Sequence, residues 1–138
     1  MTTAKCAIVL FAHGARDPQW AQPFEKIQRI VSGREPGTPV ELAFLECMQP
    51  TLMQVIESLA ARGVELCTIV PLFMAQGGHL KHDLPLLLER VRAQTPGMVM
   101  SVTPPIGEVE QVLELIAAWV SAAHAGHYAP AAIQHPIA

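Results

Sequence analysis

The chain has 138 residues, of which 51% are hydrophobic and 15% are charged, and its net charge is −3 at pH 7. This length fits one domain with a buried core, and the low charged fraction argues against a chain that is disordered throughout. The net negative charge argues against sequence-independent binding to nucleic acid phosphates. No stretch reaches the ~20 apolar residues that a membrane span needs.

The cysteines and the N-terminal segment indicate the cellular compartment. Cys6, Cys47 and Cys67 are an odd number without CxxC spacing, which argues against a disulfide framework and against a structural zinc site. The first apolar run is short, lacks a basic start and ends in a charged turn, unlike a secretory signal. We therefore expect a cytoplasmic location.

Strands and helices are predicted to alternate four times. A continuous apolar run at residues 7–12 is typical of a strand buried on both faces, and similar runs follow at residues 40–45, 66–73 and 98–102. Between and after these runs, apolar residues recur at helical spacing, in residues 20–31, 52–59, 84–91 and 109–120. The alternation predicts an open α/β fold, a parallel sheet with helices on both faces.

Proline positions predict where two of the helices begin. Asp17 before Pro18 is a capping residue followed by a proline suited to a first turn, with the helix restarting near Gln22. Asp83 offers a similar cap further along the chain. A helix that included Pro85 would place its ring against the carbonyl four residues earlier, so we expect residues 77–82 to form a loop or a single turn.

Polar residues follow the ends of the first three predicted strands: His13, Glu46 and His79. Ligands of open parallel sheets bind outside the carboxyl ends of the strands, so neighbouring strands would bring these three side chains together. Imidazole binds cobalt, nickel, iron or zinc, and neutral imidazole also accepts a proton. Glycines beside each histidine (Gly14, Gly77 and Gly78) remove bulk where a large flat ligand would approach the backbone.

Each of these residues also has a simpler interpretation. A single histidine at a strand end is usually a hydrogen-bonded turn residue, and Glu46 can be the solvated start of a loop. Arg16 can pair with Asp17 or cover the edge of the sheet. Cys47 is better explained as a buried, inert thiol than as a thiolate ligand, and the spacing of His82 does not assign it to the pocket.

Three segments in order, "FAHGARDPQW", "ELAFLECMQPTL" and "VPLFMAQGGHLKHDLP", resemble the short single-domain CbiX/SirB-type chelatases, the class II tetrapyrrole chelatases. The similarity runs from about Ala7 to about Ala118, and the segment around His79 is its most specific part. The resemblance implies a lyase that inserts a divalent metal, usually cobalt or ferrous iron, into sirohydrochlorin for cobalamin or siroheme biosynthesis. It implies no permanently bound cofactor, with Co²⁺, Fe²⁺ or Ni²⁺ as a substrate.

The resemblance also assigns residues. His13 and His79 match the two metal-site histidines of the family, and Glu46 matches its acidic position after the second strand. The tetrapyrrole carries many carboxylates, for which basic side chains are suitable anchors. The predicted substrate-binding residues are Arg16, Gly77, Gly78, Lys81 and, on a helix, Lys26. Ala15 stands where the family often has serine, which removes one hydroxyl contact.

The leading hypothesis is therefore a chelatase with a four-stranded parallel sheet in the order 2-1-3-4, formed by residues 1–124 and followed by a mobile tail at 125–138. We expect a homodimer, because the rim of one small domain offers a surface on only one side of a broad macrocycle. Closed two-fold symmetry would set two copies of His13 and His79 across a shared cleft.

Two other functions remain open at this point. A carrier that binds metal or tetrapyrrole without turnover would need the same ligands as an enzyme that inserts the metal. A phosphoryl-transfer enzyme is the weaker alternative. Histidine phosphatases also have a His-Gly pair after the first strand, but Ala12 stands where their arginine precedes the histidine.

Overall fold

The computed structural model describes residues 3–126, and most of the predicted tail lies outside them, so its mobility stays a prediction. The elements are β1 (Cys6–Ala12), α1 (Gln22–Arg34), β2 (Val40–Phe44), α2 (Leu52–Ala61), β3 (Leu66–Pro71), α3 (Gly78–Gln94), β4 (Val99–Val102) and α4 (Glu110–His124). Short 3₁₀ helices at Pro18–Ala21 and Ile106–Glu108 precede α1 and α4. Within residues 3–126, no helix has the length and apolar character needed to span a membrane.

The four strands form one parallel sheet in the order β2-β1-β3-β4, as predicted. β1 lies in the interior and pairs with β2 on one side and β3 on the other. The ladder between β1 and β2 continues past both strands, because the amide of Leu45 donates to Ala12 O at 2.9 Å and that of Glu46 donates to His13 O at 3.0 Å. All strands therefore end at one edge of the sheet, which we call the carboxyl rim.

Helices cover the sheet on both faces. On one face α2 and α3 pack on a core that includes Phe11 and Ile69, both fully buried. On the other face, α1 packs its apolar side on β1 and β2 around Leu10 and Phe44. The start of α2 is fixed by a capping box, in which Gln54 N donates to Thr51 Oγ1 and Thr51 N donates to Gln54 Oε1.

The start of the first helical segment is as predicted. Asp17 caps the 3₁₀ helix, where its carboxylate accepts a hydrogen bond of 2.9 Å from Gln19 N, and Pro18 is the first helical residue. The chain then enters α1 at Gln22. The side-chain acceptor of Asp17 and the fixed φ of Pro18 were therefore sufficient to predict where this helical segment begins.

The prediction for residues 77–82 is wrong, because α3 begins at Gly78 and includes Pro85. Asp83 is exposed inside the helix and does not cap it. Leu80 and Leu84, one turn apart, are both buried in the core, so tertiary packing holds these turns despite the proline. Packing of an apolar side thus outweighs the hydrogen bond lost at Pro85.

The prediction that all four strands are buried on both faces is wrong for β3 and β4. On the face that α1 shares, Leu66 is 39% exposed and Val99 is 62% exposed, and Thr68 and Ser101 are exposed as well. α4 forms at the predicted place but contains no buried residue. Within residues 3–126, no element covers this half of the sheet face.

The placement of β3 predicts which thiols react. Burial raises the pKa of Cys67 to about 11, whereas Cys6 and Cys47 are exposed. Because the thiolate is the nucleophile, native protein at about pH 8 should take up iodoacetamide at Cys6 and Cys47 and leave Cys67 unlabelled. Mass spectrometry of digested protein measures this, and denaturation in guanidinium should make all three cysteines react. Rapid labelling of Cys67 in the native protein would contradict its burial.

Candidate functional site

A histidine and a carboxylate meet at the carboxyl rim. His13 follows β1 directly and Glu46 lies two residues beyond β2, so the extended backbone ladder places them side by side. The Nδ1 atom of His13 lies 3.5 Å from Glu46 Oε1 and 3.4 Å from Gly14 O. The two side chains are 47% and 58% exposed, so a ligand can reach both from solvent.

The surroundings of His13 favour one tautomer of its ring. Both groups near Nδ1 are oxygen acceptors, so the proton of neutral imidazole belongs on Nδ1. The lone pair is then on Nε2, which is free to bind a metal ion or accept a proton. A carboxylate that accepts from one ring nitrogen orients the ring and increases the basicity of the other nitrogen. Glu46 is close enough to orient the His13 ring.

A phenylalanine that the sequence reasoning did not single out lies beside the imidazole. The Phe73 ring centroid is 6.2 Å from that of His13 at an interplanar angle of 76°, and it is 5.5 Å from the ring of Phe11. Phe73 is buried, so it forms a fixed apolar wall on one side of His13. The available signal was its place at the end of the third apolar run.

Gly14 is needed for a different reason from the one predicted. Its φ is +93°, and a Cβ atom at this position would collide with the backbone carbonyl oxygen of Glu46. The missing side chain thus makes room for the neighbouring chain segment, which carries Glu46. Gly77 and Gly78 differ from Gly14, because added Cβ atoms there would meet no atom within 4 Å.

His79 does not join the pair formed by His13 and Glu46. It lies in the first turn of α3, beyond the loop that follows β3, and its side chain is exposed. Within residues 3–126, no three His, Cys, Asp or Glu side chains are close enough to hold a metal ion together. The predicted convergence is therefore found for His13 and Glu46 and not for His79.

The first turn of α3 has the properties of an anion-binding surface. Gly77 is the N-cap and provides no side-chain acceptor, so the first amides of the helix lack a capping partner. Lys81 is exposed in the same turn, and the space around Gly77 and Gly78 is open. Backbone N–H groups and the positive end of the helix dipole both attract carboxylates.

Arg16 lies in a second part of the rim. It lines a cleft of ≈ 290 Å³ together with Ala15, Cys47 and Gln49. The prediction that Cys47 is buried is wrong, because it is exposed and has a φ of +63° in the turn after Glu46. Lys26 is on α1 in a separate groove beside Gln22 and Arg29, so the structure does not bring it to this cleft.

Comparisons with known proteins agree on one family. The family model CbiX matches residues 7–123. The chain is 38% identical over 82 residues to the sirohydrochlorin cobaltochelatase of Methanopyrus kandleri, a match that covers 59% of this chain and 57% of that protein. It is 28% identical over 127 residues to the sirohydrochlorin cobaltochelatase of Saccharolobus solfataricus, covering 88% of this chain and 98% of that protein.

Solved structures with the same fold include a putative cobalamin biosynthesis CbiX protein from Marinobacter aquaeolei. Its TM-score is 0.76 at 31% identity, and the match covers 89% of this chain and 99% of that one. The sirohydrochlorin chelatase SirB from Bacillus subtilis subspecies spizizenii, in complex with cobalt, has a TM-score of 0.71 at 26% identity. That match covers 85% of this chain and 50% of SirB, so this chain spans about half the length of SirB.

The geometry at Gly14 predicts a difference between two glycine substitutions. Gly14→Ala and Gly37→Ala both place alanine at positive φ, which costs about 1–2 kcal/mol, but only residue 14 faces a crowded backbone. We expect Gly14→Ala to lose about 1–3 kcal/mol more in the free energy of unfolding than Gly37→Ala. Urea denaturation measures both variants. Equal losses would mean that the contact with Glu46 imposes no constraint.

Proposed function

The chain belongs to the CbiX family, and from that premise we propose that it inserts a divalent metal ion into sirohydrochlorin. The observation that carries this proposal is the contact of His13 Nδ1 with Glu46 Oε1 at the carboxyl rim. This contact leaves the lone pair of His13 on Nε2. Both side chains are accessible to solvent. Reaction class and substrate follow from the relatives, which are named sirohydrochlorin cobaltochelatases.

Metal insertion requires a cation to leave its weak ligands while two pyrrole N–H protons depart. In the proposed mechanism, His13 Nε2 holds the incoming ion by one imidazole bond, which is weak enough for transfer to the macrocycle. After the ion is transferred, the free imidazole nitrogen of His13 and the carboxylate of Glu46 accept the two released protons. Glu46 also offsets the positive charge of the ion while it is bound beside His13.

The incomplete ligand set of one chain suits this role. His13 and Glu46 provide two donors, and no third His, Cys, Asp or Glu joins them within the described residues. A site with two protein donors binds an ion weakly, which favours transfer over storage. We propose that His79, in the first turn of α3, provides the second imidazole when the substrate is bound.

The acidic arms of the macrocycle need cationic and N–H partners around this centre. We propose Arg16 in its cleft on one side and Lys81 with the first amides of α3 on the other. Arg16 can bind a carboxylate with two parallel hydrogen bonds, whereas Lys81 acts as a mobile point charge. Gly77 and Gly78 leave space for an acetate or propionate arm to reach the helix amides.

We propose cobalt as the metal and the cytoplasm as the location. The relatives are named cobaltochelatases, and one structural neighbour is a cobalt complex. Imidazole and carboxylate donors also bind Fe²⁺ and Ni²⁺, so the ligands alone do not select the metal. All three cysteines are free, which fits a reducing compartment.

A homodimer is the proposed working unit, with the rims of two copies facing a shared substrate. Among residues 3–126, one chain places only His13 and Glu46 together, so a second rim would add donors that this part of the first chain lacks. Closed two-fold symmetry would present the same residues from both sides of the disc-shaped macrocycle.

The proposed chemistry predicts the order of effects in an activity assay with sirohydrochlorin and Co²⁺. We expect His79→Ala to reduce insertion to the uncatalysed rate and His13→Ala to reduce it by at least about a hundredfold. Glu46→Gln should give a smaller loss, because it keeps a hydrogen-bond acceptor for His13. His82→Ala, an exposed residue of the same helix, is the matched control and should stay near the unmodified rate.

The assay follows the tetrapyrrole absorption, with circular dichroism to verify that each variant is folded. Full activity in both His13→Ala and His79→Ala would refute the assignment. Stoichiometric binding of metal or tetrapyrrole without any acceleration, tested with Co²⁺, Fe²⁺ and Ni²⁺, would establish the carrier instead.

A shared site predicts complementation between variants. When His13→Ala and His79→Ala chains are mixed and allowed to exchange, mixed dimers contain one site that has both histidines on opposite chains. We expect the mixture to regain a measurable fraction of the unmodified rate that neither parent has. Activity equal to the average of the parents would contradict a site shared between chains.

A further inference from the structure

The imidazole of His13 has only long polar contacts at Nδ1. This atom lies 3.5 Å from Glu46 Oε1 and 3.4 Å from Gly14 O, and both distances exceed those of a strong hydrogen bond. The Glu46 side chain is 58% exposed, so water competes for its carboxylate. A ring with such contacts can turn about its Cβ–Cγ bond unless a further group restricts it.

Phe73 is a rigid neighbour of this ring. Its side chain is 4% exposed, and its ring lies nearly perpendicular to that of His13, with the centroids 6.2 Å apart. Phe73 also packs against the fully buried Phe11, with the centroids 5.5 Å apart. Because the core fixes Phe73, a turn of the imidazole would disrupt the edge-to-face contact of the two rings. A ring that is so deeply buried offers little surface to a broad macrocycle, so its contact with His13 is the one relevant to the site.

Backbone hydrogen bonds hold the segment that carries Phe73 on both sides. Leu72 N donates to Phe11 O at 2.7 Å, which ties the segment to β1. Gly107 N donates to Phe73 O at 3.0 Å, which ties it to the connection that follows β4. A Cβ atom at residue 107 would collide with Met74 O, so this connection lies directly against the segment. The position of Phe73 therefore depends on a residue beyond the fourth strand.

We propose that Phe73 is a positioning residue for His13, and that Gly107 keeps Phe73 in place. Phe73 limits the imidazole to the orientation in which Nδ1 faces Glu46 and Nε2 is left free. Gly107 supports this restraint from the far side of β3, because only a residue without a side chain fits against Met74 O. The use of this orientation in catalysis rests on the proposed function, whereas the orientation itself does not.

The tautomer of His13 reports the orientation of its ring without any reaction. At about pH 8.5 a free imidazole is neutral, and the NMR shifts of its two ring nitrogens show which one carries the proton. A ring held with Nδ1 beside two oxygen acceptors should carry the proton on Nδ1. A ring that turns takes Nδ1 away from these acceptors, so the proton would also occupy Nε2. The signals of His13 are those that a His13→Gln variant lacks.

Two variants with matched controls test the positioning. Phe73→Leu keeps an apolar side chain but removes the flat ring, and Gly107→Ala displaces the segment while Phe73 itself is unchanged. We expect each to change the single Nδ1–H form of His13 into a mixture of both tautomers. Val91→Ala removes volume from the same core, and Gly97→Ala adds a Cβ that meets no atom within 4 Å. Both controls should keep the single form, with circular dichroism verifying that all four variants are folded.

Insertion of Co²⁺ into sirohydrochlorin then measures what the orientation contributes. We expect Phe73→Leu and Gly107→Ala to lower kcat about tenfold and to leave KM for the tetrapyrrole within about twofold, because the buried ring acts on His13 and not on the substrate. An unchanged kcat in variants that contain both tautomers would overturn the role in catalysis.

The tautomer comparison decides the positioning separately from the reaction. A single Nδ1–H form in both Phe73→Leu and Gly107→Ala would overturn the proposal, since Glu46 alone would then orient the ring. A mixture of tautomers in the unmodified protein, or in Val91→Ala and Gly97→Ala, would overturn it as well. Absence of insertion by the unmodified protein would refute the proposed function, and a loss of the single tautomer in the two test variants would still establish the positioning.

Discussion

The close contact of two backbone segments at the ends of β1 and β2 determines the geometry of the candidate site. Backbone hydrogen bonds continue past the ends of both strands, so the backbone alone makes His13 and Glu46 neighbours. The contact requires a residue without Cβ at position 14, with a φ that other residues rarely adopt. The side-chain pair is thus a product of the sheet ladder, and its long distance of 3.5 Å needs no strong attraction to explain it. A rigid scaffold positions two otherwise mobile polar groups.

The two faces of the sheet are covered unequally by residues 3–126. Buried strands on both sides of β1 supply a core for α2 and α3 on one face, but α1 covers only the β1–β2 half of the other face. The remaining half combines small hydroxyl residues with Leu66 and Val99, a surface on which a helix can pack closely.

Most of the fold could be predicted from the sequence, because apolar residues form continuous runs in the buried strands and recur at helical spacing in the helices. The four apolar runs, the first cap at Asp17 and the parallel order were predicted and found. Local rules failed where distant packing decided the outcome. Pro85 suggested a break, but the buried Leu80 and Leu84 held the helix together, and Cys47 is exposed although its residue type favours burial. The contact of His13 with Glu46 followed from the adjacency of strands, whereas Phe73 beside His13 and the crowding at Gly14 depend on three-dimensional proximity that no local pattern encodes.

Pro85 interrupts the backbone hydrogen bonds of α3 and separates its first turns from the rest of the helix. Because proline has no amide hydrogen, the carbonyl of Lys81 has no donor four residues ahead, and the ladder is interrupted one turn after His79. The turn that carries His79 and Lys81 also lacks a side-chain cap, so only Leu80 anchors it to the core. We expect its opening free energy to be lower than that of the turns around Val91, so its amides should exchange with solvent hydrogen sooner. Weaker anchoring of this turn would let His79 move relative to His13 while the rest of the helix stays in place.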